Sequence, residues 1–131
     1  MAENTILIID DDIDLVEILR VTLENEGYRV IDAQTGQRGL AMAIEQNPDL
    51  ILLDVMMGKV DEGFQVAYLL RSNEVTADTP ILMLTAVTAQ TGFKFDLAQD
   101  RDFLPVNEFL EKPVSPRNLV DMVRKHLPTN V

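Results

Sequence analysis

Three short runs of the chain are apolar without interruption, and each stops on a polar side chain: Thr5-Ile6-Leu7-Ile8-Ile9-Asp10, Asp49-Leu50-Ile51-Leu52-Leu53-Asp54 and Pro80-Ile81-Leu82-Met83-Leu84-Thr85. Unbroken apolarity over so short a span, rich in Ile and Leu, marks a strand buried on both faces, as in a parallel sheet covered by helices. Two weaker strands run from Tyr28 to Ala33 and from Asn107 to Glu111. Helical spacing fills the gaps. Leu15, Val16, Leu19 and Leu23 make one stripe that stops at Gly27; Leu40, Ala43 and Ile44 make another that stops before Pro48; Phe64, Ala67 and Leu70 or Arg71 continue the theme. The last helix has the clearest start, with Ser115 as N-cap and Pro116 at the first helical position. Leu119, Met122, Val123 and Leu127 form its buried face.

Strands alternating with helices predict an α/β fold: a doubly wound, five-stranded parallel sheet with helices on both faces, whose ligand sites lie beyond the carboxyl ends of the strands. At 131 residues with 47% hydrophobic side chains, one domain spanning residues 1–128 is expected, with 129–131 as a loose tail. Eleven basic against 22 acidic residues give a formal charge of −11, which repels polyanions and excludes nucleic acid as a favoured partner. With no cysteine there is neither a thiol nucleophile nor a thiolate metal site, and a reducing, cytoplasmic setting is expected. No apolar run is long enough to span a bilayer, so no membrane association is expected.

The strand ends carry the chemistry. Asp10 and Asp11 follow the first strand, Asp54 ends the third, Thr85 ends the fourth and Lys112 follows the fifth. Three carboxylates brought together repel one another and raise one another's pKa unless they share a cation. Oxygen-only ligands favour Mg²⁺, which keeps several waters and completes its shell with phosphate oxygens. A carboxylate can also be the nucleophile of phosphoryl transfer, with a cation on the equatorial oxygens. Asp54 as acceptor, Mg²⁺ on Asp11 with Asp10 behind it, the Lys112 ammonium and the Thr85 hydroxyl supply those parts. Asp12 is placed to cap the first helix, and His126, near the C-terminus of the last, to complement its dipole.

These residues give the chain its resemblance to response regulator receiver domains of two-component signalling. Ile6-Leu7-Ile8-Ile9-Asp10-Asp11-Asp12, Leu52-Leu53-Asp54-Val55-Met56-Met57, Leu84-Thr85-Ala86 and Glu111-Lys112-Pro113 stand in the order and strand positions of that family. The resemblance implies a flavodoxin-like strand order of 2-1-3-4-5. It implies that Asp54 takes a phosphoryl group from a sensor histidine kinase or histidine phosphotransfer protein, and that Asp10, Asp11, Asp54 and the backbone carbonyl of Met56 hold Mg²⁺. Thr85 and Lys112 would bind the phosphoryl oxygens, and Phe109 stands at the family's aromatic switch position. At 131 residues there is no room for a second large output domain, so a stand-alone switch, monomeric or weakly dimeric, is expected, signalling to a downstream protein by contact or by phosphorelay. Met56 and Val87 would flank the path of the hydrolytic water, and since neither hydrogen-bonds usefully, slow dephosphorylation is expected.

Two stretches depart from the family. The loop Met56-Met57-Gly58-Lys59-Val60-Asp61-Glu62-Gly63-Phe64 is one residue longer than usual, with Gly58 in place of a proline. The stretch between Thr85 and Lys112 is also longer, and Gly92 and Pro105 oppose a regular helix there, so a short or displaced helix is expected. Two other readings share parts of the pattern. A haloacid-dehalogenase-like phosphohydrolase would use Asp10 as nucleophile and Asp12 as acid/base. A flavodoxin-like FMN carrier would need Ser, Thr and Gly where this chain has acids.

Overall fold

The computed structural model describes residues 4–54, 62–85 and 106–127. Five strands, β1 (Thr5–Ile9), β2 (Arg29–Ala33), β3 (Leu50–Asp54), β4 (Ile81–Thr85) and β5 (Glu108–Glu111), form one parallel sheet in the order β2-β1-β3-β4-β5. The helices are α1 (Ile13–Glu24), α2 (Gly36–Gln46), α3 (Glu62–Ser72) and α4 (Pro116–His126). The doubly wound sheet and its strand order are those expected. The helix expected between β4 and β5 falls on residues outside the described ones, as do residues 56–61 of the loop after Asp54 and the tail, while Glu62 to Phe64 open α3.

Side chains alternate across the pleat, and both faces of the central strands are buried. Ile6, Ile8, Leu50, Leu52, Leu82 and Leu84 pack with Val16, Leu19 and Leu23 of α1 and Leu119 and Val123 of α4. On the other face Leu7, Ile9, Ile51, Leu53, Ile81 and Met83 pack with Ala43 of α2 and Val66, Ala67 and Leu70 of α3. Burial on both sides explains why the central strands are apolar without alternation. β1 begins where its apolar run does, at Thr5, whereas β3 and β4 begin one residue later than theirs. Pro80 has no N–H to donate, and Asp49 meets Thr5 with its N–H on Thr5 C=O at 2.8 Å while its side-chain Oδ2, not its carbonyl, accepts from Thr5 N–H at 2.7 Å.

Helix ends follow the capping signals. Asp12 Oδ1 accepts from Leu15 N–H, and Ser115 Oγ from Asn118 N–H. Gly27, at φ +93, closes α1 with Tyr28 N–H on Leu23 C=O and Gly27 N–H on Glu24 C=O, the two bonds of a Schellman motif. One expectation is corrected. Ile44 is exposed, and α2 buries Gly36, Gly39 and Ala43 instead, with Leu40 half-buried. A Cβ on Gly39 would lie 2.5 Å from Ile9 Cδ1. The small residues let α2 lie directly on the sheet, and that approach turns Ile44 outward.

Candidate functional site

The carboxyl ends of four strands meet at one edge of the sheet. Asp10 follows β1, where its N–H donates to Ala33 C=O of β2 at 3.0 Å. Asp54 and Thr85 are the last residues of β3 and β4, and Lys112 is the first past β5, its N–H on Thr85 C=O at 2.7 Å. Asp10, Asp54 and Thr85 are buried while Asp11 is exposed at the rim. Lys112 Nζ stands 3.3 Å from Asp10 Oδ2 and 3.3 Å from Asp54 Oδ1. Each of Asp10, Asp11 and Asp54 offers a carboxylate oxygen within 4.8 Å of the others.

Asp10 is fully buried. Its Oδ1 accepts from Asp12 N–H at 2.9 Å. Its Oδ2 is an ion-pair contact of Lys112 without hydrogen-bond alignment, and has no hydrogen-bond partner among the described residues. Burial pushes its pKa up to about 6; the Asp54 charge adds to that, while Asp12 N–H and the Lys112 ammonium pull against it. Burial alone would lower the pKa of Lys112, but Asp10 and Asp54 outweigh burial and hold it above the ordinary value. One ammonium thus faces two buried carboxylates, with a third at the rim, and the carboxylates carry the excess charge. A hard divalent cation fits this oxygen-only donor set and the under-coordinated Asp10 Oδ2. The Thr85 hydroxyl is buried in the same edge with no hydrogen-bond partner among the described residues, leaving a donor for an incoming oxygen.

The structure therefore brings together Asp10, Asp11, Asp54 and Lys112 as the sequence predicts, with Thr85 beside Lys112 on the same edge. Met56 and Val87 lie outside the described residues. Phe109 is half-buried and packs on the α2–α3 face, its Cα paired with that of Met83. His126 does more than end a helix: its Nε2 is 3.6 Å from Glu108 Oε2, which also takes Lys125 Nζ at 2.8 Å. Sequence reasoning did not single out Glu108, a buried carboxylate on β5. It also missed Arg71, whose guanidinium donates to the carbonyls of Thr76, Ala77 and Thr79 and to Asn107 Oδ1. An acidic residue in an edge strand and an arginine beside a buried leucine are the only signals either leaves.

No helix among the described residues is long and apolar enough to cross a membrane. Residues 6–124 match the family model of the response regulator receiver domain. One oxygen of Asp10 is held by a backbone amide, and the receiver family matched by residues 6–124 supports a phosphoacceptor switch and not a phosphohydrolase with Asp10 as nucleophile. The chain is 43% identical over 119 residues to the DNA-binding dual master transcriptional regulator RpaA of Synechocystis sp., covering 91% of this chain and 47% of that protein. It is 38% identical to the phosphate regulon transcriptional regulatory protein PhoB of Pseudomonas aeruginosa, covering 92% of this chain and 50% of that one. The chain thus spans about half the length of these curated relatives. Among solved structures, a response regulator from Chloroflexus aurantiacus superposes with a TM-score of 0.82 at 31% identity, covering 98% of this chain and 100% of the other. The chemotaxis response regulator CheY4 of Vibrio cholerae superposes at 0.81 with 30% identity, covering 95% and 99%. Sheet order, acidic strand ends and family match agree: the chain belongs to the response regulator receiver domain family, the phosphoacceptor switches of two-component signalling.

Proposed function

We propose that Asp54 is the phosphoacceptor, that Asp10 and Asp11 hold Mg²⁺ beside it together with Asp54 and the Met56 carbonyl, and that Lys112 and Thr85 receive the phosphoryl oxygens. The observation that carries this reading is the Lys112 ammonium, 3.3 Å from both Asp10 and Asp54 at the buried strand edge. In the transfer, a carboxylate oxygen of Asp54 bonds to phosphorus as the bond from phosphorus to the donor's imidazole nitrogen breaks, the electron pair leaving on nitrogen. Bound Mg²⁺ supplies positive charge that offsets the charge on the phosphoryl oxygens. Lys112 can turn its ammonium from the Asp54 carboxylate to an oxygen of the acyl phosphate, keeping its contact with Asp10. The Thr85 hydroxyl gains in the phosphoryl group an acceptor that the described residues do not offer. The donor is a histidine kinase or a histidine phosphotransfer protein, and the output is contact with a downstream protein or onward relay to another histidine. A cytoplasmic setting fits the cysteine-free composition.

Incubation with Mg²⁺ and acetyl phosphate, followed by mass-spectrometric mapping of the modified residue, tests the assignment. Label on Asp54 alone, lost in Asp54→Asn, is the expected result. Label on Asp10, or rapid steady turnover of the phosphodonor, would overturn it.

A further inference from the structure

Asp10, Asp11 and Asp12 are consecutive acids, but the structure uses them differently. Asp10 is buried and forms an ion pair with Lys112, Asp11 is exposed at the rim, and Asp12 forms no ion pair with Lys112. Asp12 N–H donates back to Asp10 Oδ1 at 2.9 Å, the bond of an Asx turn, in which a side-chain carboxylate receives the amide two residues on. The same Asp12 caps α1. Its Oδ1 accepts from Leu15 N–H at 3.2 Å and its carbonyl from Val16 N–H at 3.0 Å, holding its backbone at φ −86 and ψ 98. The two devices share one residue. The cap fixes the backbone whose amide fixes the Asp10 carboxylate, so that Oδ2 turns toward Lys112. Asp11 lies between the two anchored ends, within reach of the carboxylates of Asp10 and Asp54.

We propose that Asp12 is a positioning residue of the cation site: by capping α1 it locks the Asx turn that aims Asp10 and Asp11 at the divalent ion. The inference rests on the reading that these two acids hold Mg²⁺. Partners that orient metal ligands are worth about 10- to 100-fold in affinity when removed, and one acting through a single backbone amide belongs at the lower end.

The test compares Mg²⁺ titrations of the whole chain by calorimetry for the wild type, Asp12→Ala, Asp12→Asn and Ser115→Ala. Asp12→Ala should weaken Mg²⁺ about tenfold. Asparagine caps as well as aspartate, so Asp12→Asn should bind within about twofold of wild type. Ser115→Ala removes an equivalent cap from α4 and should leave Mg²⁺ affinity unchanged while lowering stability. Unchanged affinity in Asp12→Ala overturns the proposal. So does Asp12→Asn as weak as the alanine variant, which would assign the effect to charge, or Ser115→Ala equally weak, which would assign it to general destabilisation. Amide hydrogen exchange at residue 12 in metal-free protein reads the turn without the ion. Corrected for intrinsic rates, it should be at least about tenfold faster in Asp12→Ala, because the bond to Asp10 protects it only while the turn holds. If the wild type binds no Mg²⁺ at millimolar concentration, the reading of the acids as a cation site falls, and exchange alone decides whether Asp12 sets the turn; unchanged exchange overturns that too.

Discussion

Replacing Asp10 by Asn in metal-free protein isolates the cost of the buried charge. The side chain is fully buried and its pKa stands at about 6, against 3.8 for a free carboxyl. Between those values the native chain keeps a proton that the unfolded chain has released. The favourable contribution of the neutral acid is fully present below 3.8 and is lost as pH rises through 6. A gap of about two pKa units at ~1.36 kcal/mol each makes the charged carboxylate a burden on the order of 3 kcal/mol at pH 7.5. Asparagine has the same shape, carries no charge and retains an acceptor for Asp12 N–H. The stability difference, variant minus wild type, should therefore climb by about 3 kcal/mol between pH 3.5 and 7.5, or roughly 10 °C in melting temperature for a domain of this size. Urea unfolding of both proteins at a series of pH values, at fixed ionic strength with chelator present, reads that difference directly. Contributions from every other titrating group cancel unless they contact Asp10. Millimolar Mg²⁺ should close the gap at neutral pH, since the ion stabilises the wild type by RT ln(1 + [L]/Kd) and loses a ligand in the variant. A difference that stays flat from pH 4 to 8, or a variant that loses ground as pH rises, refutes the account of Asp10 as a buried acid under strain from its own charge.

Three further outcomes follow from the same geometry. Asp54→Asn should take no label from acetyl phosphate yet melt at or above the wild-type temperature in low Mg²⁺, as seen by calorimetry, because it removes one of the buried like charges. Gly39→Ala should destabilise by about 1–3 kcal/mol in urea even though alanine is the better helix former by ~1 kcal/mol, because the new methyl meets the whole Ile9 side chain and not only its tip. Met56→Asn combined with Val87→Glu should shorten the half-life of the phosphorylated protein by roughly one to two orders of magnitude, since orienting groups for the attacking water are worth about 10² in rate; wild-type decay within seconds, or a double variant that decays no faster, would contradict it.

The sheet and its reactive edge were legible because both are written in local sequence. A strand buried on two faces must be apolar throughout, so Leu50 to Leu53 and Ile81 to Leu84 declare themselves. A polar residue closing such a run has only the sheet edge to occupy, and Asp54 and Thr85 do so. Caps are equally local, as Asp12 and Ser115 illustrate. What the sequence conceals is set by approach and by distant partners. The face of α2 is chosen by how closely Gly39 meets Ile9, and apolar spacing alone would bury Ile44. Glu108 is tolerated in β5 because Lys125 and His126 reach it from the last turn of α4, 17 and 18 positions on. No window of adjacent residues contains that match. Arg71 is a sharper case: its four acceptors lie between 5 and 36 positions away.

The Arg71 contacts bear on how this chain accommodates length. Asn107 Oδ1 accepts from both Ile81 N–H at 2.9 Å and Arg71 Nη2 at 2.8 Å, and Asn107 N–H donates to Ile81 C=O at 2.8 Å. The residue just before β5 is thus bolted to the neighbouring strand and to the end of α3, and the residue just after it is bolted by Lys112 N–H to Thr85 C=O. The register of β5 is held by its ladder with β4 and by these two fastenings, and not by the number of residues that join it to β4. Residues can be gained or lost in that connection while Lys112 keeps its distance from Asp54. The fastenings, and not the length of the connection, then hold Lys112 Nζ 3.3 Å from Asp54 Oδ1 at the acidic edge of the sheet.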